Sequence, residues 1–282
     1  MIPTAFEYQR AKSVDDALAQ LKAGGGKAKI LAGGHSLIPL MKLRLSEPDR
    51  LIDIARIPGL AGIREKDGAI EIGAATVHHD VATSTLLRDK SPFVAEAASD
   101  IGDQQVRNKG TLGGSLAHSD PAADYPAVML ALDADILIQG SGGSRTVKAN
   151  AFFQDFFTVD LAPGEIIVGV RFAPVKTAAY AKLHQRASHF AIVGVAAALD
   201  VKGGTIQSAR VGLTGATTHA VRLPKLEQAL AGATKETVEQ VAANAGAGLA
   251  NVNSDIHASE DYRRAMIPVF TRRALEAVMA RV

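Results

Sequence analysis

Apolar positions recur along this chain in short blocks with two different periods. Between Ser13 and Gly24, Val14, Ala17, Leu18 and Leu21 fall at helical spacing. Ser13 is placed to cap this helix, with Asp16 three residues on in a capping-box arrangement, and Gly24-Gly25-Gly26 ends it. Phe6-Glu7-Tyr8 before it and Lys29-Ile30-Leu31 after it predict strands. Leu37 to Met41 predicts a short helix, and Leu51 to Ile54 a further strand. These β and α blocks predict a small α/β lobe over 1–57.

The period then changes. Ile63 to Ile72 alternates apolar and polar around Asp67-Gly68, which predicts a hairpin. Thr76 to Ala82, Phe93 to Ile101 and Ala127 to Leu132 predict helices. Ile136-Leu137-Ile138 pairs with Thr146-Val147 across a Gly-Ser-Gly-Gly turn, and Glu165 to Phe172 closes a second lobe over 58–176. Past the linker at Pro174 to Ala178, a third unit over 177–282 opens with strands at Tyr180 to Leu183, Ala191 to Val201 and Ile206 to Leu213. It ends in helices at Leu223 to Leu230, Val238 to Leu249 and Tyr262 to Arg281. Strand pairs followed by helices predict an α+β fold.

Composition narrows the function classes. The 282 residues are 47% hydrophobic and 21% charged, ordinary for a globular protein with ample core. A formal net charge of +2 without a long basic run predicts no nucleic-acid partner. No apolar run reaches membrane-spanning length, and the start Met1-Ile2-Pro3 lacks the pattern of a signal peptide, so the expected location is the cytoplasm. The chain has no cysteine, which excludes disulfides, thiolate nucleophiles and cysteine-ligated iron–sulfur clusters on this polypeptide. It has no tryptophan either, so an aromatic stacking partner must come from Tyr, Phe or His.

Candidate chemistry concentrates in two glycine pairs. Ala32-Gly33-Gly34-His35-Ser36 lies between the strand Lys29-Ile30-Leu31 and the helix at Leu37. Paired glycines there permit positive φ and close approach, and successive N–H groups with the Ser36 hydroxyl form a concave anion site. The second pair lies in Thr111-Leu112-Gly113-Gly114-Ser115, followed by Ala117-His118-Ser119-Asp120-Pro121-Ala122-Ala123-Asp124-Tyr125-Pro126. Two such turns predict an extended phosphate ligand gripped between two lobes, a Cβ at Gly33 or Gly114 being expected to obstruct the phosphate. The seven histidine sites weighed as metal ligands, from His78-His79 to His257, show no helical i, i+4 pair with a third ligand nearby, so no metal site is expected. No Ser-His-Asp constellation is legible either.

The pair AGGHS and TLGGSLAHSDPAADYP closely resembles the flavin-binding subunits of molybdenum hydroxylases, the family of carbon monoxide dehydrogenase and xanthine dehydrogenase. The resemblance spans essentially the whole chain. It implies a two-lobed FAD-binding domain of the PCMH type followed by a C-terminal α+β domain, with FAD extended between the first two lobes. It also implies site residues: Lys29, Ile30, Leu31, Ala32, Gly33, Gly34, His35 and Ser36 as a first cradle, and Thr111, Gly113, Gly114 and Ser115 as a second. Asp124 is implied as an acceptor on the adenosine side, or else caps the helix after Pro126. Ile101 and Ile167 are implied as apolar contacts, or are simply core. Lys182 is implied near the isoalloxazine, where a cation favours anionic reduced flavin; otherwise it is a strand-edge lysine. Phe190 falls where carbon monoxide dehydrogenase-like members carry a ring-stacking tyrosine, and it lacks the hydroxyl.

The same resemblance implies partners: a small subunit with [2Fe–2S] clusters and a large subunit with a molybdopterin-type cofactor, assembled as a dimer of heterotrimers. Electrons would pass from the clusters through FAD to an external acceptor. Two other readings remain, a self-sufficient flavin-dependent oxidase or reductase and an assembly subunit that has lost flavin. Neither acid nor base is assigned to this chain as a catalytic group.

Overall fold

The computed structural model describes residues 2–282. Its first sheet is built from β1 (Glu7–Arg10), α1 (Val14–Gly24), β2 (Ala28–Leu31), α2 (Leu37–Lys42) and β3 (Arg50–Asp53), with the strands parallel in the order β1-β3-β2. Ser13 caps α1 by accepting from the Asp16 N–H at 3.1 Å, while the Asp16 carboxylate accepts from Lys12 N–H at 2.8 Å. That arrangement ties off two N-terminal donors as the sequence anticipates, displaced by one residue at the second.

The second sheet is antiparallel. It comprises β4 (Ile63–Lys66), β5 (Ala69–Gly73), β6 (Asp135–Gly140), β7 (Gly143–Lys148) and β10 (Glu165–Phe172), in the order β4-β5-β10-β6-β7; β8 (Phe153–Asp155) and β9 (Thr158–Val159) form a separate ribbon. Asp67 and Gly68 both take positive φ, 51° and 74°, the geometry a tight two-residue hairpin needs. Between the strands of this sheet the chain forms α3 (His78–Thr83), α4 (Thr85–Lys90), α5 (Pro92–Ser99), α6 (Gln104–Arg107), α7 (Leu112–His118), α8 (Asp124–Leu132) and α9 (Ala149–Phe152), of which α7 packs on β10 and α9 on β6 and β7. The short α4 and α6 have too few turns to show a period in the sequence.

The third sheet is antiparallel with order β11-β12-β13-β14, from β11 (Ala178–His184), β12 (Ala191–Lys202), β13 (Thr205–Thr214) and β14 (Val221–Arg222). Helices α10 (Pro224–Leu230), α11 (Val238–Ala242) and α12 (Glu260–Met279) complete the chain. The helix expected over Val238 to Leu249 stops at Ala242, because Gly246 and Gly248 take φ of +81° and +77°, outside any right-handed helix.

Both faces of this sheet are covered. Val193, Val195, Ala197 and Leu199 of β12 pack with Ile267, Phe270, Ala274 and Val278 of α12, while Ala196 and Ala198 join the core shared by the first two sheets. Helix α8 is buried along its entire length, and the apolar run from Ala127 to Leu132 joins the core shared by the sheets on both sides of it. Gly212 of β13 has no room for a side chain: a Cβ would stand 2.3 Å from the Ala127 carbonyl oxygen. No described helix is long and apolar enough to cross a membrane.

Candidate cofactor site

The first glycine turn is held at both ends and left unpaired in the middle. Ile54 N–H donates to the Leu31 carbonyl at 2.9 Å where β2 ends, and Ile38 N–H donates to the Gly34 carbonyl at 3.0 Å as α2 begins. Gly34 takes φ +75°, open to glycine and strained for other residues. Among the described residues, the backbone N–H groups of Gly33, Gly34, His35 and Ser36 have no partner, and the Ser36 side chain makes no capping bond. The four consecutive donors form a nest suited to an anion. His35 is exposed, with Nδ1 3.1 Å from the Gly33 carbonyl oxygen. Lys29 is exposed on β2, whereas Ile30, Leu31 and Ala32 are half-buried and tie the turn to the sheet.

The second glycine pair departs from its expected form. It is the first turn of α7, and its amides are already engaged. Thr111 is the N-cap, its Oγ1 accepting from Gly114 N–H at 3.1 Å; Leu112 and Gly113 donate to the Thr76 and Ala74 carbonyls at 3.0 and 2.8 Å, and Ser115 donates to Thr111. It therefore offers a ligand side-chain hydroxyls and an exposed edge at Gly114, not a second open nest.

The glycines are required for backbone packing. A Cβ on Gly113 would stand 2.5 Å from the Ala74 Cβ, and one on Gly33 would stand 2.2 Å from the Lys109 carbonyl oxygen and 2.8 Å from the Gly110 Cα. Gly33 thus rests on the backbone that leads into Thr111, which brings the two glycine stretches together. The obstruction expected at Gly33 is with the neighbouring lobe, and a Cβ on Gly114 would meet only Thr111 Oγ1, at 2.8 Å.

A polar cluster, buried at Asp124 and Lys182 and open at Asp100 and His184, joins α8 and the end of α5 to β11 of the third sheet. Asp124 is the first residue of α8, after the N-cap Ala123, and makes no capping bond. Its Oδ1 accepts from the Tyr180 hydroxyl at 2.5 Å and lies 3.0 Å from Lys182 Nζ; among the described residues no hydrogen-bond donor meets its Oδ2. Lys182 Nζ also donates to the Asp100 carbonyl at 2.7 Å, and His184 Nε2 lies 2.7 Å from Asp100 Oδ1. The Lys182 side chain is 0% exposed, so this lysine is an interior cation and not a solvated one, although β11 is the edge strand of its sheet. Burial pushes the Asp124 carboxyl up, and Lys182 and Tyr180 oppose that shift by favouring the charged form.

The remaining candidates separate. Ile167 is buried in the core on β10 at a register irregularity, while Ile101 is half-buried at the end of α5 with its carbonyl accepting from Arg107 at 2.9 Å. Phe190 is 45% exposed on the β11–β12 loop. The next residue, Ala191, donates to the Ala122 carbonyl at 3.1 Å, which ties the end of this loop to the α7–α8 connection. Among the described residues no group of three His, Asp or Glu side chains could hold a metal ion.

Sequence reasoning passed over Tyr180 and Asp100 and weighed His184 only as a metal ligand. Tyr180, Lys182 and His184 alternate along β11 and so share one face, a polar row inside an otherwise apolar strand. That period-2 row is the signal that marks them.

Fold and site together define an α+β chain of the flavin-binding type, with a run of unpaired amides at Gly33 to Ser36 beside the backbone before Thr111. The chain belongs to the family described as the FAD binding domain in molybdopterin dehydrogenase, which matches residues 4–175; residues 178–278 match the CO dehydrogenase flavoprotein C-terminal domain. It is 42% identical to the carbon monoxide dehydrogenase medium chain of Hydrogenophaga pseudoflava, covering 100% of this chain and 99% of that one. It is 38% identical to the 6-hydroxypseudooxynicotine dehydrogenase complex subunit alpha of Paenarthrobacter nicotinovorans, over 100% of this chain and 97% of the relative. A solved structure of the Hydrogenophaga pseudoflava carbon monoxide dehydrogenase, lacking the Mo-pyranopterin moiety, superposes with a TM-score of 0.95 over 100% of this chain and 99% of that chain. The α+β architecture of an FAD-binding domain followed by a flavoprotein C-terminal domain agrees with the sequence expectation, and the chain is of the FAD-dependent oxidoreductase type.

Proposed function

We propose that this chain is the FAD-binding, electron-transferring subunit of a molybdenum hydroxylase complex, divided at 1–57, 58–176 and 177–282. The observation that carries the reading is the run of four unpaired amides at Gly33 to Ser36, pressed against the backbone before Thr111. Those amides and the Ser36 hydroxyl hold the pyrophosphate, with Lys29, Ile30, Leu31 and Ala32 positioning the turn. Thr111, Gly113, Gly114 and Ser115 supply the facing wall, with hydroxyl donors from Thr111 and Ser115. Asp124 Oδ2 is the acceptor for a ligand hydroxyl, and Lys182 favours the charged form of that carboxyl against the effect of burial. Ile101 supplies an apolar contact at the same edge, and Ile167 backs the site from the core. Bound FAD supplies the exchange between one-electron and two-electron carriers.

In this reading the substrate is oxidised at a molybdopterin-type cofactor on a large subunit. Electrons arrive through [2Fe–2S] clusters on a small subunit, and the assembly is a cytoplasmic dimer of heterotrimers. The cysteine-free sequence requires the clusters to sit on another chain. The relatives named above carry different substrates in their names, as expected if specificity resides on the large subunit.

The purified chain should show bound-flavin absorption near ~450 nm and bleach with dithionite. It should fail to bleach with carbon monoxide, aldehydes or purines until partner subunits are added. Rapid substrate-driven bleaching by the chain alone would establish a self-sufficient flavoenzyme instead, and a chain that cannot take up FAD would establish an assembly subunit.

Phe190 is assigned to stacking on the isoalloxazine. Phe190→Ala should weaken FAD by about 1–3 kcal/mol, roughly fivefold to 150-fold in Kd, and alter the flavin absorption envelope. Titration of apoprotein with FAD measures both, and an unchanged Kd with an unchanged spectrum removes Phe190 from the site.

A further inference from the structure

His78 opens α3 and is 5% exposed, among the few buried polar side chains of the chain. Its backbone N–H donates to the Gly110 carbonyl at 2.9 Å. Its ring lies so close to Gly110 that a Cβ there would stand 2.5 Å from Nε2 and 2.8 Å from Cδ2. The same ring meets that of Tyr125 on α8, with centroids 5.2 Å apart and planes inclined at 58°. Neither His78 Nδ1 nor the Tyr125 hydroxyl has a hydrogen-bond partner among the described residues. Two orphaned polar atoms on adjoining buried rings are an expensive arrangement unless a water joins them, and a neutral imidazole can supply either the donor or the acceptor. Gly110 and Lys109 are in turn the backbone on which Gly33 rests. A continuous contact therefore runs from α8 through His78 and Gly110 to the phosphate nest.

We propose that His78 is a positioning residue for the first glycine turn: its neutral imidazole, packed against both Tyr125 and Gly110, holds the Lys109 carbonyl against Gly33 and keeps the amides of Gly33 to Ser36 aligned. The proposal rests on the assignment of those amides to the FAD pyrophosphate. The charged and titratable groups around the ring favour the neutral form. Burial lowers the His78 pKa from 6.5 to about 4, and His35 on the first turn and Arg107 on α6 act in the same direction. On α3 itself His79 and Asp80 are exposed, on α5 Glu96 is exposed and paired with Arg281, and on α8 Asp124 is paired with Lys182.

The sign of the pH dependence follows. A disengaged His78 takes up a proton below about pH 6.5, whereas the packed ring resists it until about pH 4. The packed arrangement keeps its full advantage above pH 6.5 and loses it as pH falls from 6.5 to 4.

The test is FAD affinity of the full chain, read by flavin fluorescence from pH 8 to pH 4, for wild type, His78→Ala and His78→Phe. At pH 7.5 the alanine variant should bind FAD at least about tenfold more weakly with native circular dichroism, while the phenylalanine variant should stay within about threefold. Wild type should lose affinity at least about tenfold more steeply than His78→Phe between pH 6.5 and 4. Wild-type affinity in His78→Ala, or a wild-type acid profile in His78→Phe, overturns the proposal. Should the alanine variant fail to fold, the acid profile of His78→Phe decides alone. A wild-type chain that binds no FAD at any pH defeats the cofactor assignment itself, a separate outcome.

Discussion

Gly33→Val should yield a folded protein that has lost FAD. A valine Cβ would lie 2.2 Å from the Lys109 carbonyl oxygen and 2.8 Å from the Gly110 Cα, and both atoms it meets are backbone, so one lobe must move relative to the other. The four unpaired amides then lose their alignment. We expect at least about a hundredfold loss of FAD affinity, on the order of 3 kcal/mol. Gly114→Ala is the informative contrast. Gly114 is exposed, and its added Cβ meets the hydroxyl that caps α7, so the expected cost is about 1 kcal/mol of stability with a smaller loss of FAD affinity than in Gly33→Val. Equilibrium dialysis with FAD and thermal melts of the two variants separate the effects. Equal and full flavin occupancy in both would place the phosphate site elsewhere.

Lys182→Ala should give the largest loss of stability. It leaves the Asp124 carboxylate, 4% exposed, without its cation, and the Tyr180 hydroxyl alone does not replace an ammonium. Breaking a buried pair by removing one partner costs about 3–5 kcal/mol, which for a chain of this size lowers the Tm on the order of 10 °C. The double variant Lys182→Met with Asp124→Asn should recover much of this, because it removes both charges together while keeping their volumes. Differential scanning calorimetry of wild type, single and double variants measures the coupling. A single variant that melts with the wild type would mean that water reaches Asp124 and the pair is not a structural link between α8 and the third sheet.

The helices and strands that bury one face were legible from period alone: α1 through Val14, Ala17, Leu18 and Leu21, and the β4–β5 hairpin through its alternation around Asp67-Gly68. The first glycine turn was legible for the same local reason, since its strand, glycines and helix are contiguous. Less was visible where a residue's role depends on something distant in sequence. The amides of Gly113 and Gly114 resemble those of the first turn in sequence, yet they are consumed by Ala74 and by Thr111 itself. His78 reads as one of a pair of adjacent histidines, and only its burial beside Gly110 and Tyr125 distinguishes it from exposed His79.

Local patterning of this sequence therefore determined which segments became strands and helices, where the tight turns fall, and that any iron–sulfur cluster must lie on another chain. Tertiary structure decided which donors stayed unpaired and which charges met. Gly33 is indispensable because Lys109 and Gly110 pass 2.2–2.8 Å from where its side chain would be. Lys182 is an interior cation because Asp100 and Asp124, 82 and 58 positions earlier in the numbering, converge on it. Hydrogen-bond satisfaction and desolvation depend on what surrounds an atom in space, and the period of a sequence records only which face of its own element a residue occupies.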